Sequence, residues 1–278
     1  MKNRSLMQKA AASPYYVWAV LFIIAPILYV FYYAFTDASG AFCGFENFSI
    51  ISHYSGTFLL SLMLAFIATV ICLLIGYPLA FAISRTKPAA QKVLVMLLML
   101  PMWINFIIRT DSIAILIEKN GVINQFLSLF GAHIELMDTR AAVVIGMVYD
   151  FLPYMILPIY SVLTKLDGKL IEAAHDLGCN AFQALTKVII PLSIGGIVSG
   201  ITMVFVPCVS TFYISQRLGG ANTYLIGDAI EARMLSISAD YNKGATLSLV
   251  LMLLIVISTL IMNRYTDSEE NGTGGILA

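Results

Sequence analysis

Six long apolar runs dominate the chain and leave it few folds to choose from. They lie near residues 15–36, 57–84, 92–109, 141–163, 193–215 and 245–263. A hydrocarbon core of about 30 Å is crossed by about 20 helical residues, and each run is long enough or nearly so. The composition agrees: 59% of residues are hydrophobic and 12% charged, against roughly 45–50% and about 25% in a soluble domain, and mean hydropathy is +0.87. The expected fold is an all-α membrane protein with six transmembrane helices in one bundle. Lys2, Arg4 and Lys9 precede the first run, but it is longer than the apolar region of a signal peptide and no small-residue cleavage site closes it, so it reads as a permanent anchor. The chain then divides into an N-terminal segment 1–14, a transmembrane domain 15–265 and a polar, Gly-rich tail 266–278, which is expected to be flexible.

Lys and Arg in short loops mark the cytoplasmic side. With the N-terminus inside, the cytoplasmic set is Lys2, Arg4, Lys9, Arg85, Lys87, Lys92, Lys165, Lys169, Lys187 and Arg264, while the loop from Asp37 to Thr57 has none. Both termini are therefore expected in the cytoplasm. Arg217, Arg233 and Lys243 run against the rule in the last external loop, where Asp228, Glu231 and Asp240 lie among them. This topology puts Cys43 outside, Cys179 inside, and Cys72 and Cys208 within spans, which leaves no disulfide framework. His53, His133 and His175 lack ligand spacing, so no metal site is expected. A formal net charge of zero argues against a nucleic-acid partner.

Helix breakers stand inside the runs: Gly76 and Pro78, Pro101, Pro153 and Pro158, and Pro207. Proline removes an N–H and kinks a helix, so these spans are expected to bend, and bent spans commonly line a cavity. In the external stretch from Asp111 to Thr139, Val122, Ile123, Phe126, Leu127 and Phe130 recur at helical spacing and suit an interfacial or re-entrant helix. No internal repeat is visible, unlike many secondary carriers.

The inner loop 164–192 carries a polar, amphipathic segment, EAAHDLGCNAFQALTKVIIP, from Glu172 to Pro191. Leu170, Ala173, Ala174 and Leu177 share one helical face, Gly178 supplies a turn, and Phe182, Leu185, Val188 and Ile189 form a second stripe before Pro191. A short helix, a turn and a second helix are expected. No G-x-x-x-x-G-K-[ST] loop is present, so the chain has no phosphate cradle of its own.

These residues resemble the permease subunits of ATP-binding-cassette importers, whose inner loop follows E-A-A-x3-G-x9-I-x-L-P. Glu172, Ala173, Ala174, Gly178 and Pro191 match, and Val188 and Ile190 stand where Ile and Leu are usual. The resemblance implies a type I importer permease bundle, MetI-like. It also implies that the loop docks into a groove on a separate ATPase, with Glu172 and Asp176 reaching donors there. ATP and Mg would be bound by that ATPase, with no cofactor in this chain. The implied partners are a pair of ATPase subunits, a second homologous permease and an extracytoplasmic solute-binding protein, assembled in the cell membrane of a prokaryote. The likeness extends through GYPLAF at Gly76 to Phe81, LPMWINFIIR at Leu100 to Arg109 and FYISQRLGGANTYLIGDAI at Phe212 to Ile230, and is closest to permeases for spermidine and putrescine. Two alternatives remain: the same machinery carrying an amino acid, thiamine or a metal chelate, and an ion-coupled carrier without an ATPase.

A polycation suggests where the path lies. Asp150 is nine residues into the fourth run, about 14 Å deep, and a carboxylate at that depth needs a cavity or a partner. Tyr154 is one turn away, Tyr149 is adjacent, and Trp103 and Asn105 in the third run offer a ring face and an amide. Together these are the candidate lining; the alternative is that they pack. Arg109 with Asp111, and Asp138 with Arg140, read as interfacial pairs or anchors, and Asp228 and Glu231 as members of a solvated loop.

Overall fold

The computed structural model describes residues 14–236 and 239–273. Apart from one isolated antiparallel bridge between Thr36 and Phe42, the regular structure among the described residues is helical: α1 (Pro14–Phe35), α2 (Glu46–Ser84), α3 (Pro88–Trp103), α4 (Phe106–Ile117), α5 (Val122–Ser128), α6 (Arg140–Leu163), α7 (Gly168–Asp176), α8 (Ala181–Leu192), α9 (Ile194–Ser210), α10 (Tyr213–Leu218), α11 (Ile226–Leu235) and α12 (Tyr241–Thr273). In α1, α2, α6 and α12, stretches are long and apolar enough to cross a membrane alone. The total is six if each of two bent pairs is one span: α3 with α4 and α5, and α8 with α9.

Those two pairs are where the structure departs from the expected run boundaries. The third run is not one helix from 92 to 109; it breaks at Ile104 and Asn105, and the axis turns by 93°. Asn105 is the cause at residue level, because its side chain accepts the Ile107 N–H at 2.8 Å and starts a new helix there. The fifth run begins after a 68° bend between Leu192 and Ile194. Pro191 has no N–H to donate, the preceding Leu185–Ile189 stretch is π-helical, and Ser193 leaves helical geometry. By contrast Pro78, Pro153, Pro158 and Pro207 sit inside unbroken helices. α5 occupies the apolar pattern expected to be a short helix. α12 continues to Thr273, into the tail expected to be flexible, since adding residues to a formed helix is far easier than nucleating one. The first thirteen residues of the N-terminal segment 1–14 and the end of the tail from 274 lie outside the described residues.

The chain forms two compact units. The first comprises residues 1–55 and 229–254. Its buried centre is Ala34, Ala245 and Leu249, packed by Val30, Phe35 and Phe48. The last carbonyls of α1 have no intrahelical donors, and two asparagines supply them. Asn47 Nδ2 donates to Ala34 O at 3.1 Å and Thr36 O at 2.8 Å; Asn242 Nδ2 donates to Tyr33 O at 3.1 Å and Thr36 O at 2.6 Å.

The second unit comprises residues 56–228 and 255–278, with α6 at its centre. Glycines let other helices approach it. A Cβ on Gly196 would meet Pro158 O at 3.0 Å, and one on Gly200 would meet Met155 Sδ at 2.8 Å, so α9 lays a small-xxx-small ridge against α6. On α6 itself, Gly146 accepts Leu218 and Ile214 of α10. Met147, Met155, Ile156 and Ile159 are fully buried as a result.

Candidate functional site

The inner-loop segment folds as its pattern implies. Asp167 caps α7, its side chain accepting the Lys169 N–H at 3.0 Å. Gly178 ends it at φ +83°, a left-handed conformation that a side chain disfavours, and donates to His175 O at 2.9 Å. Asn180 and Gln183 then start α8 with a reciprocal capping box. The turn presents Glu172, Ala173, Asp176, Gly178 and, further on, Pro191 at the surface. Ala174 departs from the expected docking face: it is 5% exposed and packs inward. In its place, Leu177 at 87% and Phe182 at 72% exposure stand out beside the turn. The capped turn thus holds two large apolar side chains out from the protein.

At membrane depth the structure assembles a different constellation from the one sequence suggested. Asp150 is completely buried, and Arg109 from α4 is 5% exposed. Arg109 Nε lies 3.2 Å from Asp150 Oδ1, and Thr110 Oγ1 donates to Oδ2 at 2.9 Å. Asp150 therefore faces a partner within its own chain, and Arg109 Nη1 is buried without a hydrogen-bond acceptor among the described residues. Trp103 and Asn105 do not join this group: Trp103 is 72% exposed and the Asn105 side chain is used as a helix cap. Tyr149 is partly exposed. Tyr154 is half-buried, its ring 6.3 Å from that of Phe151, which lies 6.3 Å from Phe106. Thr110, Phe106 and Phe151 were not singled out from sequence; their signal was spacing along α4 and α6, visible only once the break at Asn105 is known.

The expected interfacial pairs are also rearranged. Arg109 turns to Asp150, and Asp111 pairs with Arg217 of α10 at 2.6 Å while accepting from Tyr213 Oη at 3.1 Å. Asp138 donates its backbone N–H to Leu218 O at 3.0 Å rather than pairing with Arg140. Asp228 is not in a solvated loop: it is 3% exposed, accepts from Ser215 Oγ at 2.9 Å and from the Leu225 N–H at 2.7 Å, and so stitches α10 to the start of α11. Glu231 is half-buried. Among the described residues no three His, Cys, Asp or Glu side chains gather as metal ligands.

The described residues form a helical membrane protein with a capped, exposed turn between α7 and α8, and comparison with known proteins shows its family. The chain belongs to the family described as binding-protein-dependent transport system inner membrane component, whose model matches residues 73–268. It is 37% identical over 279 residues to the spermidine/putrescine transport system permease protein PotB of Haemophilus influenzae, covering 94% of this chain and 97% of that protein. The PotB protein of Escherichia coli K12 is 37% identical over 257 residues, covering 89% and 93%. Among solved structures, a bacterial ABC transporter involved in the import of the acidic polysaccharide alginate superposes with a TM-score of 0.76 at 17% identity over 96% of both chains. The fold is thus the MetI-like permease bundle of ABC importers, and the chain is a multi-pass membrane transport component.

Proposed function

We propose that this chain is one of two permease subunits of an ATP-driven, binding-protein-dependent importer whose cargo is a polyamine, spermidine or putrescine. The observation that carries the cargo is the 37% identity to a spermidine/putrescine permease across 94% of the chain. In this reading a separate pair of ATPases binds ATP and Mg, a second homologous permease completes the pathway, and an extracytoplasmic binding protein delivers the solute. The chain lies in a prokaryotic cell membrane with both termini in the cytoplasm, so the turn at Gly178 faces the ATPase.

The mechanism follows from what the residues can do. Leu177 and Phe182 offer apolar area to a groove, while Glu172 and Asp176 offer carboxylates to donors on its rim. ATP-driven closure of the ATPases moves this turn. The π-helical stretch and the bend at Ser193 pass that displacement to α9, whose glycines are seated on α6. The inner end of the pathway then closes as the outer end opens. Along it, Trp103, Tyr149 and Tyr154 supply ring faces to a flexible cation, and the buried Asp150–Arg109 pair sets the local field.

The test is ATP-dependent uptake of labelled spermidine into proteoliposomes holding the assembled complex. Saturable uptake that requires ATP and the binding protein is expected. ATP hydrolysis stimulated by the binding protein without spermidine uptake would keep the importer and discard the cargo. Uptake that ignores ATP and follows an ion gradient would overturn the importer.

A further inference from the structure

The far end of α1 holds a depression that transport coupling does not use. It lies within the first compact unit, has a volume of about 660 Å³ and is lined by Tyr32, Tyr33, Asp37, Asp240, Tyr241 and Lys243 among others. Small-molecule sites usually enclose roughly 300–1,000 Å³. The amide donors are already committed, since Asn47 and Asn242 Nδ2 donate to the carbonyls closing α1. Carboxylate and amide oxygens, tyrosine ring faces and tyrosine hydroxyls remain.

Asp37 is built to stay charged. Its Oδ1 accepts three hydrogen bonds, from Ser39 N at 2.8 Å, Ser39 Oγ at 2.6 Å and Ala41 N at 2.9 Å. The Ser39 hydroxyl above all, then the Ala41 N–H, holds the carboxyl below its ordinary range. Oδ2 receives none of these bonds. Asp240 already has a cation: Lys243 Nζ sits 2.9 Å from Oδ2. Burial pushes the Asp240 carboxyl up, but its hydrogen bonds with Lys243, together with the charges of Lys243 and Arg233, outweigh this and the net direction is down. The rings of Tyr33 and Tyr241 lie 6.2 Å apart, and those of Tyr32 and Tyr33 lie 5.5 Å apart. Ring faces beside carboxylates are cation chemistry.

We propose that this depression is a second, surface site for a linear aliphatic polyammonium ion, with one terminal ammonium on Asp37 Oδ2, the chain over the tyrosine rings and the other terminal ammonium on Asp240 in place of Lys243. Lys243 is then a resident ammonium that the ligand displaces. In the orientation proposed above the site is extracytoplasmic, where solute is released from its binding protein. The choice of a polyamine as occupant rests on the polyamine reading of the cargo.

The experiment uses the assembled complex in lipid nanodiscs and a spermidine carrying a photoactivatable diazirine, with the labelled peptides mapped by mass spectrometry. Labelling is expected within residues 32–43 and 239–243, competed by free spermidine and not by a neutral diol of equal length. Lys243→Gln frees a carboxylate and is expected to tighten half-saturation about two- to fivefold, as one exposed ion pair allows, and Asp37→Asn to weaken it by a similar factor. The Lys243 variant gains binding, which misfolding does not mimic. Absence of label from both segments, or labelling there that Lys243→Gln leaves unchanged, overturns the site. Because labelling is read without ATP and uptake is not, failure of this site is distinguishable from failure of the cargo assignment.

Discussion

Asp150 shows what one residue can and cannot reveal before its neighbours are known. Its depth in an apolar run marked it as needing a partner. The partner was hidden because depth was counted along straight helices, which put Arg109 at the outer end of the third span. The 93° break at Asn105 redirects α4 and brings Arg109 Nε to 3.2 Å from the carboxylate. Asp228 was missed for a similar reason: an acid among polar residues reads as solvated, and only the fold supplies Ser215 and the Leu225 N–H. Breaking a buried pair from one side leaves an uncompensated charge and costs about 3–5 kcal/mol, whereas replacing both members by apolar residues is often neutral. Arg109→Met is therefore expected to lower the melting temperature of the purified complex sharply, and adding Asp150→Leu to restore most of it. If the pair also sets the field of the pathway, the stable double variant takes up spermidine at least about tenfold more slowly. Wild-type uptake by the double variant would make Asp150 architecture alone and remove it from the pathway.

Among the elements, the inner-loop turn was the most legible because every signal was local: an apolar stripe, a glycine, a second stripe. The capping box of Asn180 and Gln183 and the left-handed Gly178 make that reading physical. The inward-facing Ala174 was not legible, since two adjacent alanines look alike until packing tells them apart. The prolines were an uneven guide: Pro101 stands in the 3₁₀ turn just before the 93° bend of the third span, whereas Pro78, Pro153, Pro158 and Pro207 lie within continuous helices. Pro153 and Pro158 were expected to bend the fourth span, and α6 runs through both without a break; the third span is interrupted at Asn105, where a side-chain cap starts a new helix. The turn itself can be tested by conformation rather than charge. Asn tolerates the left-handed region and Val does not; a non-glycine residue there costs about 1–2 kcal/mol. Gly178→Asn is expected to retain the ATPase through purification, and Gly178→Val to lose most of it while still inserting in the membrane. Gly178→Asp adds a charge beside Asp176 and is expected to release the ATPase as well. Equal ATPase recovery from all three would mean that the turn is not the docking element.

For the whole molecule, the sequence carried the membrane-spanning character of the runs because hydrocarbon thickness sets a length that composition reports directly, and the count is six where each bent pair crosses once. It carried sidedness only through the Lys and Arg bias, and the four cysteines provide an independent test without any substitution. Cys72 and Cys208 are buried, whereas Cys43 and Cys179 are partly accessible. Cys43 follows α1 by a short loop and Cys179 lies in the turn between α7 and α8. An odd number of spans separates them if each bent pair crosses once, so they belong on opposite sides of the membrane. In intact right-side-out vesicles a membrane-impermeant maleimide is expected to modify Cys43 alone, and permeabilisation to add Cys179, with Cys72 and Cys208 unreactive until the protein is unfolded. The converse pattern would invert the topology, placing the Gly178 turn outside and removing it from reach of any cytoplasmic ATPase. Labelling of both from the same side would mean that one bent pair enters and leaves by the same face, leaving fewer than six spans. Because a thiol reports only where it is, the measurement does not depend on the cargo, and made on the permease stripped of its ATPase it is free of shielding of Cys179 by the docked partner.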